Sequence, residues 1–139
     1  MKSILSIILL CAISCANAAS DAEIVAATII LEAGGEYSPG AMEAVNEVIQ
    51  NRAIKRRMTP AQVCYQRMQF SCWNNIDKRP ALLAKAQRHP RYAKALDIAL
   101  SAPTNYTSGA DHYHADYCRP YWAKHMTLTV TIGRHIFYK

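Results

Sequence analysis

The chain has 139 residues and a formal charge of +6 at pH 7, with 51% hydrophobic and 19% charged residues. This length excludes more than one domain of ordinary size, and no internal repeat, linker or low-complexity tract divides the chain. The positive charge suits contact with an anionic surface, although it would also serve solubility alone.

An export signal is predicted at the N-terminus. Lys2 precedes an apolar run from Ile4 to Ile13, and Ala16-Asn17-Ala18 has the small-x-small pattern that a signal peptidase cuts. The apolar run is shorter than the roughly 20 residues that cross a bilayer, and no later segment is apolar enough to do so. Lipidation of Cys15 is a weaker alternative, because the residues before it fit a lipidation box poorly.

We therefore expect residues 1–18 to be removed and residues 19–139 to form the mature domain, in the periplasm or outside the cell. The mature chain would keep a formal charge of +5, because Lys2 is the only charged residue lost. An oxidising compartment favours one disulfide and one free thiol among its three remaining cysteines, but the sequence does not assign the pair. These cysteines are Cys64, Cys72 and Cys118.

The first mature helix is predicted to begin at Asp21 as N-cap. Its apolar stripe follows the helical period and consists of Ile24, Ala27, Thr28 and Leu31. Gly34-Gly35 should end the helix, because glycine suits a left-handed C-cap and weakens a helix interior.

A second helix is predicted from about Pro39-Gly40 to Arg56, with a ridge that faces the core and a wetter face that carries charges. The ridge consists of Met42, Val45, Ile49 and Arg52, and the wetter face of Glu43, Glu47 and Lys55. Thr59-Pro60 is a cap followed by proline at the first helical position, so a short third helix should begin there.

Residues 69–75, QFSCWNN, have no clear period and are interpreted as loop. Two helices should follow, at about 80–88 and 90–102, and the second has an apolar face made of Tyr92, Ala95, Leu96, Ala99 and Leu100. Residues 104–122 are polar and aromatic without a period, which predicts an ordered loop.

The C-terminal segment predicts a β-hairpin. TLTVTI alternates strictly, Gly133-Arg134 fits a two-residue turn, and HIFYK returns. The expected fold is therefore α+β: a single, mainly helical domain with a small C-terminal hairpin or sheet.

Two carboxylates lie where the first mature helix ends. Glu32 follows its apolar run and Glu36 comes just after the glycine pair. Burial beside apolar groups favours the protonated form of a carboxyl group, as a general acid near neutral pH requires. Cleavage of a glycosidic bond needs such an acid, because the leaving oxygen must be protonated. The glycines would also leave room for a bulky polymer, although acids four apart on a helix are commonplace.

The order of motifs adds a resemblance. LEAGGE, AVNEVIQNR, TPAQVCYQ, QFSCW, ADHYHADYCRPYWAK and TVTIGRHIFYK occur in succession from about Asp21 to Lys139. This succession resembles the SleB-type cell wall hydrolases, the family of the spore cortex-lytic enzymes. The family's usual opening is G-E-A-x-G-E. Here Leu31 replaces the first glycine, while Glu32 and Glu36 keep both acids.

The resemblance implies a lysozyme-like arrangement and cleavage of peptidoglycan glycan strands between N-acetylmuramic acid and N-acetylglucosamine. It implies that Glu32 is catalytic, and that a lytic transglycosylase reaction would leave a 1,6-anhydro product with one glutamate as acid and base. Hydrolysis with a second carboxylate, from Glu36 or Asp111, is the open alternative.

Further residues are expected to bind substrate. Glu36 should hold nearby polar groups or the substrate, and the segment Gln69, Phe70 and Ser71 should line the groove, where an amide, a hydroxyl and an aromatic face suit N-acetyl sugars. Sugar contacts are also expected from His112, Tyr113 and Trp122. Trp73 is a further candidate for stacking on a sugar, although large aromatic residues in a small domain, Trp73 and Trp122 alike, are often packing residues.

Three other interpretations remain open. His112, His114, Asp116 and Cys118 alternate, as a zinc site would allow in an extended chain. Cys64 or Cys72 with His112 would suit a cysteine peptidase, although neither cysteine lies at a helix N-terminus. A wall-binding or inhibitor module needs only small size, positive charge and exposed aromatic residues.

We expect no cofactor and no metal. The expected partner is the glycan strand of peptidoglycan, with no nucleic acid and no stable membrane insertion. A monomer is expected, and an accessory wall-binding partner would compensate for the lack of a separate binding module.

Overall fold

The structure, a computed structural model, describes residues 18–139. The export signal predicted for residues 1–18 therefore lies outside the described residues except for Ala18, as does the alternative at Cys15. Within residues 18–139, no helix is both long enough and apolar enough to span a membrane.

The described residues form five α-helices, three short 3-10 helices and three β-strands. The α-helices are α1 (Asp21–Ala33), α2 (Ala41–Arg56), α3 (Pro60–Tyr65), α4 (Arg79–Gln87) and α5 (Tyr92–Leu100). The strands are β1 (His112–Ala115), β2 (Leu128–Ile132) and β3 (His135–Tyr138). The predicted α+β class, mainly helical with a small sheet, is confirmed.

Helix α1 is the central helix of the domain and packs against α2, α3, α4 and α5. Every residue from Ile24 to Ile30 is buried, as is Ala33. The predicted single apolar stripe is therefore too narrow, because neighbours surround the helix on several sides. Its N-cap is Ser20, one residue before the predicted Asp21, and the Ser20 hydroxyl and the Glu23 side chain form a capping box.

Gly34 ends α1 for a different reason than the predicted left-handed cap. Its φ is −60°, an ordinary right-handed helical value. A Cβ at Gly34 would lie 2.5 Å from the Ile30 carbonyl oxygen and 3.3 Å from His89 Nε2. Glycine is therefore required by close packing, and α1 ends at Ala33, one residue after Glu32.

Helices α2 and α3 follow the predictions closely, with one exception on α2. Thr59 caps α3 and Pro60 is its first residue. Glu47, predicted on the wetter face of α2, is only 2% exposed. Its carboxylate accepts hydrogen bonds from the Thr104 hydroxyl and from the backbone N–H groups of Tyr106 and Thr107. Glu47 thus anchors the segment that leads into β1.

Two segments predicted as loop contain regular structure. Residues 69–75 include a 3-10 helix at Ser71–Trp73, and residues 104–122 include β1. Helices α4 and α5 match the predicted pair, but Leu100, assigned to the apolar face, is 69% exposed. Strand β1 escapes prediction because His112, Tyr113 and His114 do not alternate between apolar and polar residues.

The sheet is antiparallel with the order β1-β3-β2. The predicted hairpin is confirmed by β2 and β3, and Gly133 in the turn has a φ of 56°, which favours glycine. Phe137 and Ile132 pack against α2, where the small side chains of Ala41 and Ala44 allow close approach. This packing places the third strand, β1, beside the end of α1.

Candidate active site

Glu32 lies where two adjoining cavities meet at the end of α1. The cavities have volumes of about 460 and 220 Å³. Both are lined by Glu32, Ala115, Tyr117 and His135. We call this pair of cavities the groove. Glu32 is half-buried, so its carboxylate is sheltered from bulk solvent and open to a ligand in the groove.

Both carboxylate oxygens of Glu32 have a donor. The Tyr113 hydroxyl donates to Oε2 at 2.7 Å. The Cys72 thiol lies 3.9 Å from Oε1, a long contact for a weak S–H donor. These two residues come from β1 and from the 3-10 helix after α3, so the carboxylate is oriented by elements far apart in sequence.

Tyr113 is itself held in place by aromatic neighbours. Its ring centroid lies 5.1 Å from that of His135 and 5.4 Å from that of Phe137. Burial, and then the charge of Glu32, raise the pKa of the Tyr113 hydroxyl well above its usual range. The hydroxyl therefore keeps its proton at neutral pH and remains a donor to Glu32.

Arg52 is a cation of the groove that the sequence interpretation missed. It is 6% exposed, lines the larger cavity, and its guanidinium lies 5.3 Å from the centre of the Phe70 ring. Its Nε donates to the Asp111 carbonyl at 2.7 Å, while Nη1 is buried without a hydrogen-bond partner in the described structure. Burial lowers the pKa of Arg52, and the charge of Glu32 is among the effects that oppose this. The sequence did contain a signal for this role, because Arg52 is a charged residue on the ridge of α2 that was predicted to face the core.

Glu36 also lines the groove, in its smaller cavity. Its Oε1 accepts from the Ser38 N–H at 3.0 Å and from the Ser38 hydroxyl at 2.8 Å. Its Oε2 accepts from the Arg134 N–H at 3.1 Å. These hydrogen bonds, first those from Ser38, lower the pKa of Glu36 to about 2. Glu36 is therefore an ionised carboxylate that ties the hairpin turn to the loop after α1.

The segment Gln69, Phe70 and Ser71 lies on the wall of the larger cavity, where the sequence interpretation puts it. Gln69 Oε1 accepts from Arg56 Nη1 at 2.7 Å, which orients its amide group. Phe70 is 2% exposed, so only a small part of its ring reaches the groove. Ser71 is exposed and available to a ligand.

His112 and Trp122, which were predicted to contact sugar, line neither cavity of the groove. Neighbouring residues of a strand point to opposite faces of the sheet, so Tyr113 faces Glu32 while His112 faces away. The His112 and Trp122 ring centroids lie 5.2 Å apart. Trp73 is a core residue, 1% exposed, whose indole N–H donates to the Thr28 hydroxyl.

Asp111 lines neither of the two cavities. Its carboxylate accepts from Lys55 at 2.7 Å and lies 2.7 Å from His112 Nδ1. Of the two carboxylates considered as partners for Glu32, only Glu36 shares the groove with it.

The residues of the alternating motif considered for zinc have other partners. His112 pairs with Asp111, His114 Nε2 lies 3.0 Å from the Tyr138 hydroxyl, and Asp116 accepts from Arg134. Among residues 18–139, no three or more His, Cys, Asp or Glu side chains are close enough to hold a metal ion.

The cysteines form no disulfide among the described residues, so the expected pair is not confirmed. Cys64, Cys72 and Cys118 are buried, half-buried and exposed, respectively, and all three are free. Burial raises the pKa of Cys64 and of Cys72 to about 12. Because the thiolate is the nucleophilic form, this environment disfavours a cysteine peptidase built on either residue.

Comparisons with known proteins agree with the geometry. The model of a family described as Cell Wall Hydrolase matches residues 36–138, starting four residues after Glu32. The fold is similar to the catalytic domain of the germination-specific lytic transglycosylase SleB from Bacillus anthracis, with a TM-score of 0.66 and 21% identity over 89% of this chain and 98% of that chain.

The catalytic domain of the SleB protein from Bacillus cereus gives a TM-score of 0.61 and 23% identity over 88% of this chain and 94% of that chain. At such identities the likeness concerns the fold. No sequence match was found among curated proteins. Since the family match spans most of the chain, this protein belongs to the cell wall hydrolase family and is an enzyme of that family.

Proposed function

We propose that the protein cleaves the glycan strands of peptidoglycan between N-acetylmuramic acid and N-acetylglucosamine, with Glu32 as the single catalytic acid and base. The observation that carries this proposal is the position of Glu32. Its half-buried carboxylate lies at the junction of two cavities and is oriented through Oε2 by Tyr113. A polymer that occupies both cavities would pass directly over this carboxylate.

The reaction needs one proton donor that later becomes an acceptor. Glu32 donates its proton to the glycosidic oxygen as the bond to the anomeric carbon of the muramic sugar breaks. The C6 hydroxyl of the same sugar then forms a bond to that carbon, and its proton returns to Glu32. The products are a 1,6-anhydromuramic end and a free hydroxyl on the departing glucosamine, so no water is consumed.

Transglycosylation is favoured over hydrolysis by what the second carboxylates do. Asp111 lies outside the groove, where Lys55 and His112 engage it. Glu36 lines the groove, but its two oxygens already accept hydrogen bonds from Ser38 and Arg134. A hydrolase would need a carboxylate free to activate water or to attack the sugar. Glu36 instead has a structural role, because its hydrogen bonds hold the hairpin turn against the loop after α1.

The test is digestion of purified sacculi followed by mass spectrometry of the released fragments. The wild-type protein should release anhydromuramic fragments, and Glu32→Gln should lose at least about a thousandfold in rate, because the amide has no acidic proton to donate. Glu43→Gln, a change of the same type at a half-buried α2 carboxylate that pairs with exposed Lys94, is the matched control. Full activity of a folded Glu32→Gln variant would contradict the proposal. Fragments with reducing ends instead of anhydro ends would show that the reaction is hydrolysis and not transglycosylation.

The same digestion separates catalysis from adhesion. A wall-binding module would sediment with intact sacculi and release nothing, whereas the enzyme releases soluble fragments. We further propose that export removes residues 1–18 and leaves 19–139 as one monomeric catalytic domain that reaches the wall directly or through an accessory wall-binding partner. N-terminal sequencing of the exported protein would test the cleavage site. Its elution volume in gel filtration would test whether it is a monomer.

A further inference from the structure

A third cavity, of about 570 Å³, opens beside the groove and has no part in the mechanism above. We call it the side cavity. It shares His114 and Cys118 with the larger cavity of the groove, so the two spaces adjoin. A ligand in the groove that carries a branch could therefore extend that branch into the side cavity.

The side cavity has a net positive lining. Arg119 and Lys124 both line it, and neither forms an ion pair with any residue in the range 18–139. Asp116 is its one acidic residue, and Arg134 already neutralises it through contacts of 3.1 and 3.3 Å. Two cations are thus left for an anionic ligand.

The rest of the lining is largely apolar. The Lys124 ammonium lies 3.7 Å from the centre of the Tyr121 ring, which holds the cation over an aromatic surface. Pro120, Ile136 and Tyr138 supply further apolar surface. Apolar walls with two cations suit a short chain that combines small apolar side chains with carboxylates.

We propose that the side cavity binds the acidic peptide that branches from the lactyl group of N-acetylmuramic acid. This inference rests on the proposed function, because the glycan strand must lie in the groove for its branch to reach the side cavity. Arg119 and Lys124 bind the carboxylates of the peptide, and the walls around Tyr121 contact its small side chains. The enzyme then prefers strands whose peptides keep free carboxyl groups.

The test compares two forms of the same wall strands. In both forms the peptide amines are first acetylated, and in one form the carboxyl groups are then converted to amides with a carbodiimide and ammonia. Wild-type protein should show a kcat/KM roughly three- to tenfold higher on the strands with free carboxylates, as expected for two partly exposed charge contacts. Raised salt should reduce this preference, because exposed charges are screened.

The variants separate the effect of the two cations in the side cavity from the effect of the protein's net charge. In the double variant Arg119→Gln with Lys124→Gln, the ratio of kcat/KM on free-carboxylate strands to kcat/KM on amidated strands should fall close to one. The charge-conserving double variant, Arg119→Lys with Lys124→Arg, should keep the wild-type ratio. The control double variant, Lys85→Gln with Arg88→Gln, removes the same charge from two exposed positions at the end of α4 and just after it. It should leave the ratio as in the wild type. An unchanged ratio in the Arg119 and Lys124 double variant, or the same loss in the Lys85 and Arg88 control, overturns the inference.

The failures of the two proposals are distinguishable. If wild-type protein cleaves neither form of the strands, the proposed function itself is wrong. If it cleaves both forms at equal rates, the glycan cleavage stands and the peptide site in the side cavity is rejected.

Discussion

The Tyr113 hydroxyl donates a hydrogen bond of 2.7 Å to Glu32 Oε2 across a sequence separation of 81 residues. Glu32 is in the last turn of the central helix α1, and Tyr113 is on β1, the edge strand beside it. The orientation of the carboxylate therefore depends on the docking of the sheet against the helices. Any change that shifts β1 should affect the site even when α1 is intact.

Tyr113→Phe should lower kcat by about two- to tenfold, because the hydrogen bond that orients the Glu32 carboxyl group contributes about 0.5 to 1.5 kcal/mol. The phenyl ring keeps the contacts with His135 and Phe137, so the fold should persist. Tyr106→Phe is the matched control, since its exposed hydroxyl makes no hydrogen bond in the part of the chain that the structure describes. Equal activities of the two variants in the digestion of sacculi would show that the contact between Tyr113 and Glu32 is not used.

Glu36→Gln should destabilise the protein at neutral pH and lose this effect in acid. The pKa of Glu36 is lowered from 4.5 to about 2, so its ionised form stabilises the folded state above pH 4.5. That contribution is lost as the pH falls through the interval from 4.5 to about 2. The gap in Tm between wild type and variant should be present at pH 7 and close progressively in acid.

Ser38→Ala supplies the comparison for Glu36. It keeps the carboxylate and the backbone N–H donor and removes only the hydroxyl donor, so its gap in Tm at neutral pH should be smaller than that of Glu36→Gln. A Glu36→Gln gap that stays constant between pH 7 and pH 2 would refute the role of the ionised carboxylate.

Glu47→Gln should lower the free energy of unfolding by about 2 to 3 kcal/mol, because one buried acceptor becomes an amide donor that faces other donors. The groups left without an acceptor are those of Thr104 and Tyr106 if Oε1 is replaced, or those of Thr107 if Oε2 is replaced. Urea denaturation would measure the loss. Glu43→Gln on the same helix breaks only a 3.6 Å ion pair with Lys94 and should cost less than about 1 kcal/mol. Equal losses in both variants would contradict the anchoring role of Glu47.

Alkylation should label the cysteines in the order of their accessibility. Cys118 is exposed, while burial holds the pKa of Cys64 and Cys72 at about 12, so these two thiols should react only after unfolding. Peptide mapping after brief treatment with iodoacetamide at pH 8 would show the order. Because Cys118 lines the groove, the activity assay uses Cys118→Ser protein, which should stay active after the treatment. Inactivation of that protein would restore a thiol mechanism.

Local signals in the sequence determined most of the helices and the hairpin. Thr59 and Pro60 begin α3, and Gly133 makes the turn between β2 and β3. Capping residues, proline and positive-φ glycine act within a few residues, so their effect can be seen in the sequence. The position of Glu32 at the end of the apolar helix α1 could likewise be predicted from neighbouring residues alone.

The packing of distant chain segments sets which faces are buried and what surrounds Glu32. The sequence pattern put Glu47 in solvent, yet it is buried because the loop after α5 brings donors to its carboxylate. Arg52 and Tyr113 reach the groove through α2 and β1, and no spacing in the sequence relates either residue to Glu32. Chain segments this far apart meet only when the core packs, so the helices and the acid were determined by the sequence itself, while the groove and the partners of the acid were determined by the packing of sheet against helices.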